Sequence, residues 1–254
     1  MNAGRRKGLL GPAISALVAF SLLIGLGVWQ VERKAWKEHL IDAIGRKLAA
    51  DPVDLPAAAS WTQLERAQWE FRRVRFAAEL QNHEQALVYT SGSTLRTDVS
   101  GPGYWVFTPA RTREGIVPVD RGFVPLDRKA ATDQIAVQAA YPADIVGVLR
   151  WPDARSWFTP GGDPNRNIWF VRDPVAIATE KHWGAVPPFY VEQEAPVPPG
   201  GIPAPGKLTP NLPNNHLQYA ITWFGLAAVL AGMFGAFVWR RHRERDGSAA
   251  RRTA

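Results

Sequence analysis

The sequence contains no cysteine, which excludes disulfides and every thiolate metal site. Its five histidines stand at 39, 83, 182, 216 and 242. No two lie three or four residues apart, so no local zinc or di-metal pair is present. Walker loops, G-x-S-x-G elbows and H-E-x-x-H helices are all missing. The segment Tyr89–Thr94 looks like the phosphate loop of adenylate-forming enzymes, but Leu95, Arg96, Thr97 and Asp98 supply neither the glycine nor the lysine that should follow. There is no internal repeat. Charge is missing where a nucleic-acid binder needs it. The formal +7 lies wholly in the two tails, +3 from Arg5, Arg6 and Lys7 and +4 from the last fifteen residues, so everything between them sums to zero. Nucleic acid is therefore excluded as a partner, and the basic character is a membrane-topology signal.

Two long apolar runs are present. Leu9–Val28 carries only Ser15 and Ser21 as polar side chains. A basic head before an apolar run also suits a signal peptide, but the run is long and no A-x-A-like site follows, so it reads as an uncleaved anchor. Leu217–Trp239 is the second run, and about 20 apolar residues suffice to span a bilayer. Both runs have Lys or Arg at their outer ends, which puts both termini in the cytoplasm and the middle of the chain outside, in the periplasm of a bacterium. Membrane lipid is thus one partner, and Trp29 and Trp223 suit the interfacial belt. The expected organisation is a basic tail (1–8), a first span (9–28), a helical stalk continuing it (29–50), a periplasmic β-rich domain (51–194), a Pro/Gly-rich return segment (195–216), a second span (217–239) and a basic tail (240–254). The stalk shows one apolar face, Val31, Trp36, Leu40, Ile41, Ile44 and Leu48, which predicts packing on the outer domain, and Asp51-Pro52 ends it.

The domain reads as strands. Val74, Phe76, Ala78 and Leu80 alternate with polar neighbours, a period of two. Further runs lie at 86–90, 103–108, 145–151, 167–171 and 189–194. Glu114-Gly115 predicts a hairpin into Ile116–Val119, with Pro118 at an edge or bulge. Asp173-Pro174 predicts a short helix, capped by the aspartate and closed by Gly184. Closely spaced strands with short turns predict a mainly antiparallel sheet. The fold class is membrane α+β: a two-helix transmembrane hairpin carrying one mainly antiparallel β periplasmic domain with a short helix.

His216 stands at the entrance to the second span, behind Asn214 and Asn215 and ahead of Gln218 and Thr222. It reads in two ways. One is a polar helix start, with asparagine as cap. The other is an axial ligand, since imidazole binds haem iron and a site at the membrane rim suits a macrocycle with a lipid tail. Its expected surroundings are Trp29 or Trp223 to stack on the ring and Arg33 to pair with a propionate. On the second span, Gly225, Ala228, Gly232 and Gly235 form a face of small residues that allows close helix approach. That face serves either the first span, through Gly11, Ser15, Ala16 and Ala19, or a partner membrane protein.

These residues resemble the Surfeit locus 1 family of cytochrome c oxidase assembly factors, as a bacterial member. The likeness runs nearly end to end: Gly27–Arg33 with Trp36-Lys37 and Leu40-Ile41, Gly103-Tyr104 with Thr108-Pro109, Val119–Pro125, Gly147–Arg150, Phe158–Pro160, Trp169-Phe170 with Asp173, and Asn214–Ala220 with Thr222–Phe224. Phe123 stands where the family usually has tryptophan, and Ala77-Ala78 replaces a usual glycine. The resemblance implies a non-enzymatic factor in the bacterial inner membrane that assists haem a handling or insertion into the catalytic subunit of the oxidase. It makes haem a the cofactor and His216 its candidate ligand. The oxidase catalytic subunit is the implied partner, with a haem a synthesis enzyme as a further one. A haem-free scaffold that holds the nascent subunit is the alternative. A periplasmic enzyme is the third reading, without a recognisable nucleophile to support it.

Overall fold

The computed structural model of the chain describes residues 10–210 and 213–250. Arg5, Arg6, Lys7, Arg251 and Arg252, on which the charge argument leans, lie outside them. The chain divides into two compact units, one formed by the segments up to Leu40 and from Pro213, the other by Ile41–Leu212.

The first unit is a pair of helices, and both are long and apolar enough to cross a membrane. Helix α1 runs unbroken over Leu10–Ala49, with no glycine or proline pair forcing a kink at Trp29–Arg33. The last helix covers His216–Ala250 and continues through the arginine cluster. The covered positions of α1 include Ala13, Ala16, Phe20, Leu23, Gly27, Gln30, Lys34 and Lys37, with Ala19 and Ile24 flanking them. Those of the last helix include His216, Ala220, Trp223, Ala227, Leu230, Phe234 and Val238. Spacings of three and four alternate, which is the 3.5-residue seam of a left-handed helix pair. Gly27 meets Phe224 near one end, while Ala16 and Phe20 share a shallow apolar pocket with Leu230 and Phe234 near the other. The helices are therefore antiparallel. A Cβ on Gly27 would lie 2.5 Å from the Phe224 ring, so only glycine admits that ring.

The small-residue face is not this seam. Gly225, Gly232 and Gly235 have no atom within 4 Å of a Cβ position, and Ala228 is exposed. The expectation that this face packs on the first span is corrected for Gly225, Ala228 and Gly232, whereas Gly235 borders the pocket shared with Ala16 and Phe20. A 3.5-residue seam through His216, Ala220 and Ala227 turns Gly225, Ala228 and Gly232 away from α1, and large residues seat against small ones along it.

The second unit is built on an eight-stranded sheet. In chain order its elements are β1 (Val53–Asp54), α2 (Arg66–Trp69), β2 (Arg73–Leu80), β3 (Ala86–Thr90), β4 (Gly103–Arg111), β5 (Ile116–Pro125), α3 (Ala130–Ala136), β6 (Tyr141–Arg150), β7 (Ile168–Trp169), α4 (Pro174–Glu180) and β8 (Tyr190–Ala195); the long second helix of the hairpin is α5. The strand order is β1-β2-β6-β8-β5-β4-β3-β7, and β2 also pairs with β4. That extra pairing closes β2, β6, β8, β5 and β4 into a ring. Its interior is one face of each strand: Val74, Ala78 and Leu80, Ile145 and Leu149, Val191, Val117 and Val119, and Ala110, as the period of two requires. The sheet is mainly antiparallel, with parallel pairings only at β1–β2, β3–β7 and β5–β8.

A second core lies on the opposite face of β3, β4 and β5. There Val88, Trp105, Phe107, Phe123 and Tyr190 meet Ile177 and Ala178 of α4, with Trp169 and Trp183. Asp173 caps α4, accepting from Val175 and Ala176 N–H at 3.1 Å each. The helix closes earlier than expected, at His182 rather than Gly184. His182 takes φ 56°, and Trp183 N–H reaches back to Ala178 carbonyl at 3.0 Å. That six-to-one bond needs the left-handed residue directly after the last turn, two positions before Gly184.

Pro118 is neither at an edge nor in a bulge. It lies in an internal strand directly opposite Pro109 of β4. Two facing prolines suit a pair in which neither N–H is called on. The stalk face is covered only in part. Ile44 is buried and Ile41 and Leu48 half-buried, whereas Val31, Trp36 and Leu40 are exposed. Lys47 anchors the end of α1, donating to the carbonyls of Ala67 at 2.7 Å and Glu70 at 3.0 Å.

The return segment crosses β5, where Phe123 and Ala204 exchange backbone bonds of 3.0 and 2.9 Å. Gly122 makes the crossing possible: its φ is 123°, and a Cβ would stand 2.2 Å from Ala204 oxygen. Beside it lies a buried charge network. Arg150 donates to Glu192 at 3.2 Å, and Arg172 lies 3.6 Å from the same carboxylate while it bonds the exposed Asp153 at 2.8 Å. Asp120 accepts from Gly122 N–H at 3.0 Å. Burial, with Glu192 next to it, holds the Asp120 carboxyl well above the ordinary carboxylate range.

Candidate functional site

The site lies within the hairpin, where α5 begins. Asn215 carbonyl accepts from Tyr219 N–H at 3.3 Å, so Asn215 is the last residue before the first turn and His216 opens the helix. No side-chain cap from Asn214 or Asn215 is found among the described residues, and Asn214 Oδ1 is buried without a partner. Lys37 Nζ donates to Pro213 carbonyl, fixing the chain as it enters α5.

His216 is half-buried on the seam. Its Nδ1 lies 2.7 Å from Gln30 Oε1, and Gln30 is itself 8% exposed. An amide oxygen can only accept, so this contact puts the imidazole proton on Nδ1. In the neutral form of the ring Nε2 then carries the lone pair. A second hydrogen bond to the nitrogen opposite the ligating one is the usual means of fixing an imidazole that binds metal, because it sets both the tautomer and the ring plane. The apolar helix seam thus ends in a buried glutamine bonded to a histidine whose other ring nitrogen is not used by that bond. This donor set fits haem iron, which accepts a neutral imidazole.

The other expected residues are distributed as follows. Trp223 is half-buried on the seam, seven residues beyond His216 and hence on the same face of α5. Trp29 and Arg33, four residues apart, share the α1 face beside Gln30. Trp29 is exposed. Arg33 lays its guanidinium over Trp36, 3.9 Å from the ring centroid, and no ion pair or hydrogen bond joins it to His216 among the described residues. Gly225, Ala228 and Gly232 sit on the exposed side of α5, away from the seam, while Gly235, also exposed, borders the pocket that Ala16 and Phe20 share with Leu230 and Phe234.

Reasoning from residue types missed Gln30 as a participant. A signal existed. Ala13, Ala16, Phe20, Leu23, Gly27 and Gln30 are successive positions of one 3.5-residue stripe, and Gln30 is the first polar member. A polar residue in an apolar seam asks for a partner on the facing helix.

The SURF1 family model matches residues 17–228 of the chain. Surfeit locus protein 1 of Takifugu rubripes is 33% identical over 240 residues, which cover 87% of this chain and 97% of that protein. The SURF1-like protein of Drosophila melanogaster is 33% identical over 246 residues, covering 90% and 78%. Surfeit locus protein 1 of Homo sapiens is 33% identical over 217 residues, covering 80% and 70%.

Proposed function

The chain belongs to the SURF1 family, and on that premise we propose that it is a membrane-bound assembly factor for haem–copper cytochrome c oxidase that receives haem a and passes it toward the catalytic subunit. The observation that carries the haem reading is the 2.7 Å contact between Gln30 and His216. A histidine serving only as a helix start has no need of a buried amide on the facing helix to select its tautomer. His216 Nε2 supplies the axial bond, Gln30 holds the ring, and Trp29 and Trp223 offer aromatic surface on either helix. Arg33 is the candidate counter-charge for a propionate, by turning from Trp36. Haem a is cargo in this reading and supplies its own redox chemistry only after delivery. The inner-membrane location, the outward-facing β domain and the roles of the oxidase subunit and of a haem a synthesis enzyme as partners belong to the same proposal, as does a partner on the Gly225–Gly235 face. No step of it requires the chain to be an enzyme.

The test is the haem content of the full-length chain purified from haem a-producing cells. His216→Ala should lose the bound haem while the protein stays folded and inserted. Gln30→Leu should weaken retention without abolishing it, because the ligand remains but its tautomer is released; outer-shell partners of this kind are worth roughly 10–100-fold in affinity. Normal haem stoichiometry and an unchanged spectrum in His216→Ala would remove the ligand role and leave the haem-free scaffold.

A further inference from the structure

Arg121 is 2% exposed, at the centre of β5. Its Nη1 donates to Asn82 Oδ1 at 2.6 Å and its Nη2 to Tyr141 hydroxyl at 2.9 Å. The guanidinium carbon lies 5.8 Å from the Tyr141 ring centroid. All of these partners are neutral. Nε is buried without a partner, and among the described residues no carboxylate forms an ion pair with this side chain. Every other arginine buried this deeply has one: Arg96 has Asp98, and Arg150 has Glu192. Burial of the unpaired charge holds the Arg121 pKa below its ordinary value. A guanidinium stays protonated near neutrality all the same, so the second unit carries one buried, uncompensated positive charge.

The charge borders a cavity of about 340 Å³. Its other walls are Ile135, Pro198, Pro199 and Ile202, with Tyr141 and Gln138. Gln138 is exposed and marks the mouth. Cavities from about 300 Å³ upward accept small molecules, and a mostly apolar lining with one charged group fixes their orientation. One cation and neutral walls match a single negative charge on an apolar body. A phosphate, with two charges and three oxygens to satisfy, finds too few donors here.

We propose that the cavity between β5, α3, β6 and the 198–202 turn binds a small monocarboxylate, with Arg121 as its counter-ion and the prolines and Ile135 around its apolar part. The site lies wholly in the second unit and does not depend on the haem reading.

The test uses the full-length chain in nanodiscs, with benzoate as probe and benzamide as its uncharged match. Benzoate should bind saturably and raise the unfolding temperature, and benzamide should bind at least about tenfold more weakly because it lacks the charge-assisted bond. Arg121→Met should lose benzoate binding. Since that change also removes contacts to Asn82 and Tyr141, Gln138→Glu provides the second test. A carboxylate at the mouth supplies the missing charge from within the protein. It should raise the unfolding temperature and weaken benzoate about tenfold with Arg121 and its partners unaltered. No saturable benzoate binding, equal binding of benzamide, unchanged benzoate affinity in Gln138→Glu, or tighter binding of inorganic phosphate than of benzoate would each overturn the proposal.

Discussion

The hairpin and the β unit handle close packing and buried polarity in opposite ways. In the hairpin the seam is almost wholly apolar, and shape decides it: Phe224 seats against Gly27, and Ala220 and Ala227 are nearly inaccessible. A polar contact between the helices, Gln30 with His216, closes on itself. In the β unit the ring interior is equally apolar, but the outer face of β5, β6 and β8 buries Asp120, Arg150 and Glu192 together, and the return segment crosses β5 at Gly122. The physical reason lies in the alternatives. Between two helices already surrounded by lipid-like side chains, hydrophobic transfer discriminates little and van der Waals fit decides the register. In a water-exposed domain, crossing one strand with another segment brings polar backbone inside, and charged side chains must satisfy what it carries.

This contrast can be broken at its sharpest points. Gly122→Ala should have the largest effect, about 3 kcal/mol of lost stability, because it combines a forbidden φ with a collision against backbone that cannot move aside; thermal unfolding of the β unit reads it. Gly27→Leu should cost about 1–3 kcal/mol of inter-helix packing, since the colliding atom is a ring at the end of a side chain. Because the chain has no cysteine, paired spin labels on α1 and α5 would report the widened spacing cleanly. Unaltered distances would show that shape does not set the seam.

Asp120 supplies a pH signature that the hairpin lacks. Its folded-state pKa is raised above the ordinary carboxylate value, so the folded state holds a proton that the unfolded chain has released. The resulting stability is fully present below the ordinary carboxylate value and is lost as pH rises through the raised one. Asp120→Asn should flatten that part of the stability–pH curve, while an unchanged curve would show that Asp120 does not hold the proton. The smallest effect belongs to Gly232→Leu. With nothing within 4 Å of its Cβ position, stability should change by less than about 0.5 kcal/mol, and any loss of oxidase assembly would then report a partner on that face.

Much of this architecture is written in local patterns. Apolar runs of membrane length marked both spans, alternation marked β2, and Asp173-Pro174 announced α4, because each reports the environment of one segment and needs no knowledge of its neighbours. His216 was visible for the same reason, as a lone histidine at the start of an apolar helix. Its partner was not: Gln30 lies 186 residues away in sequence, and only the antiparallel seam brings the two together. The small-residue face of α5 was legible as a face, but which side of the helix meets α1 depends on rotation about the axis, marked by the approach of Phe224 to Gly27 and the burial of Ala227. Closure of the ring by β2 with β4, the Pro109–Pro118 pairing and the solitary charge of Arg121 likewise belong to the tertiary structure. Periodicity tells a residue that it is covered. What covers it, and whether a buried charge finds its opposite, are relations between distant segments that the folded chain alone decides.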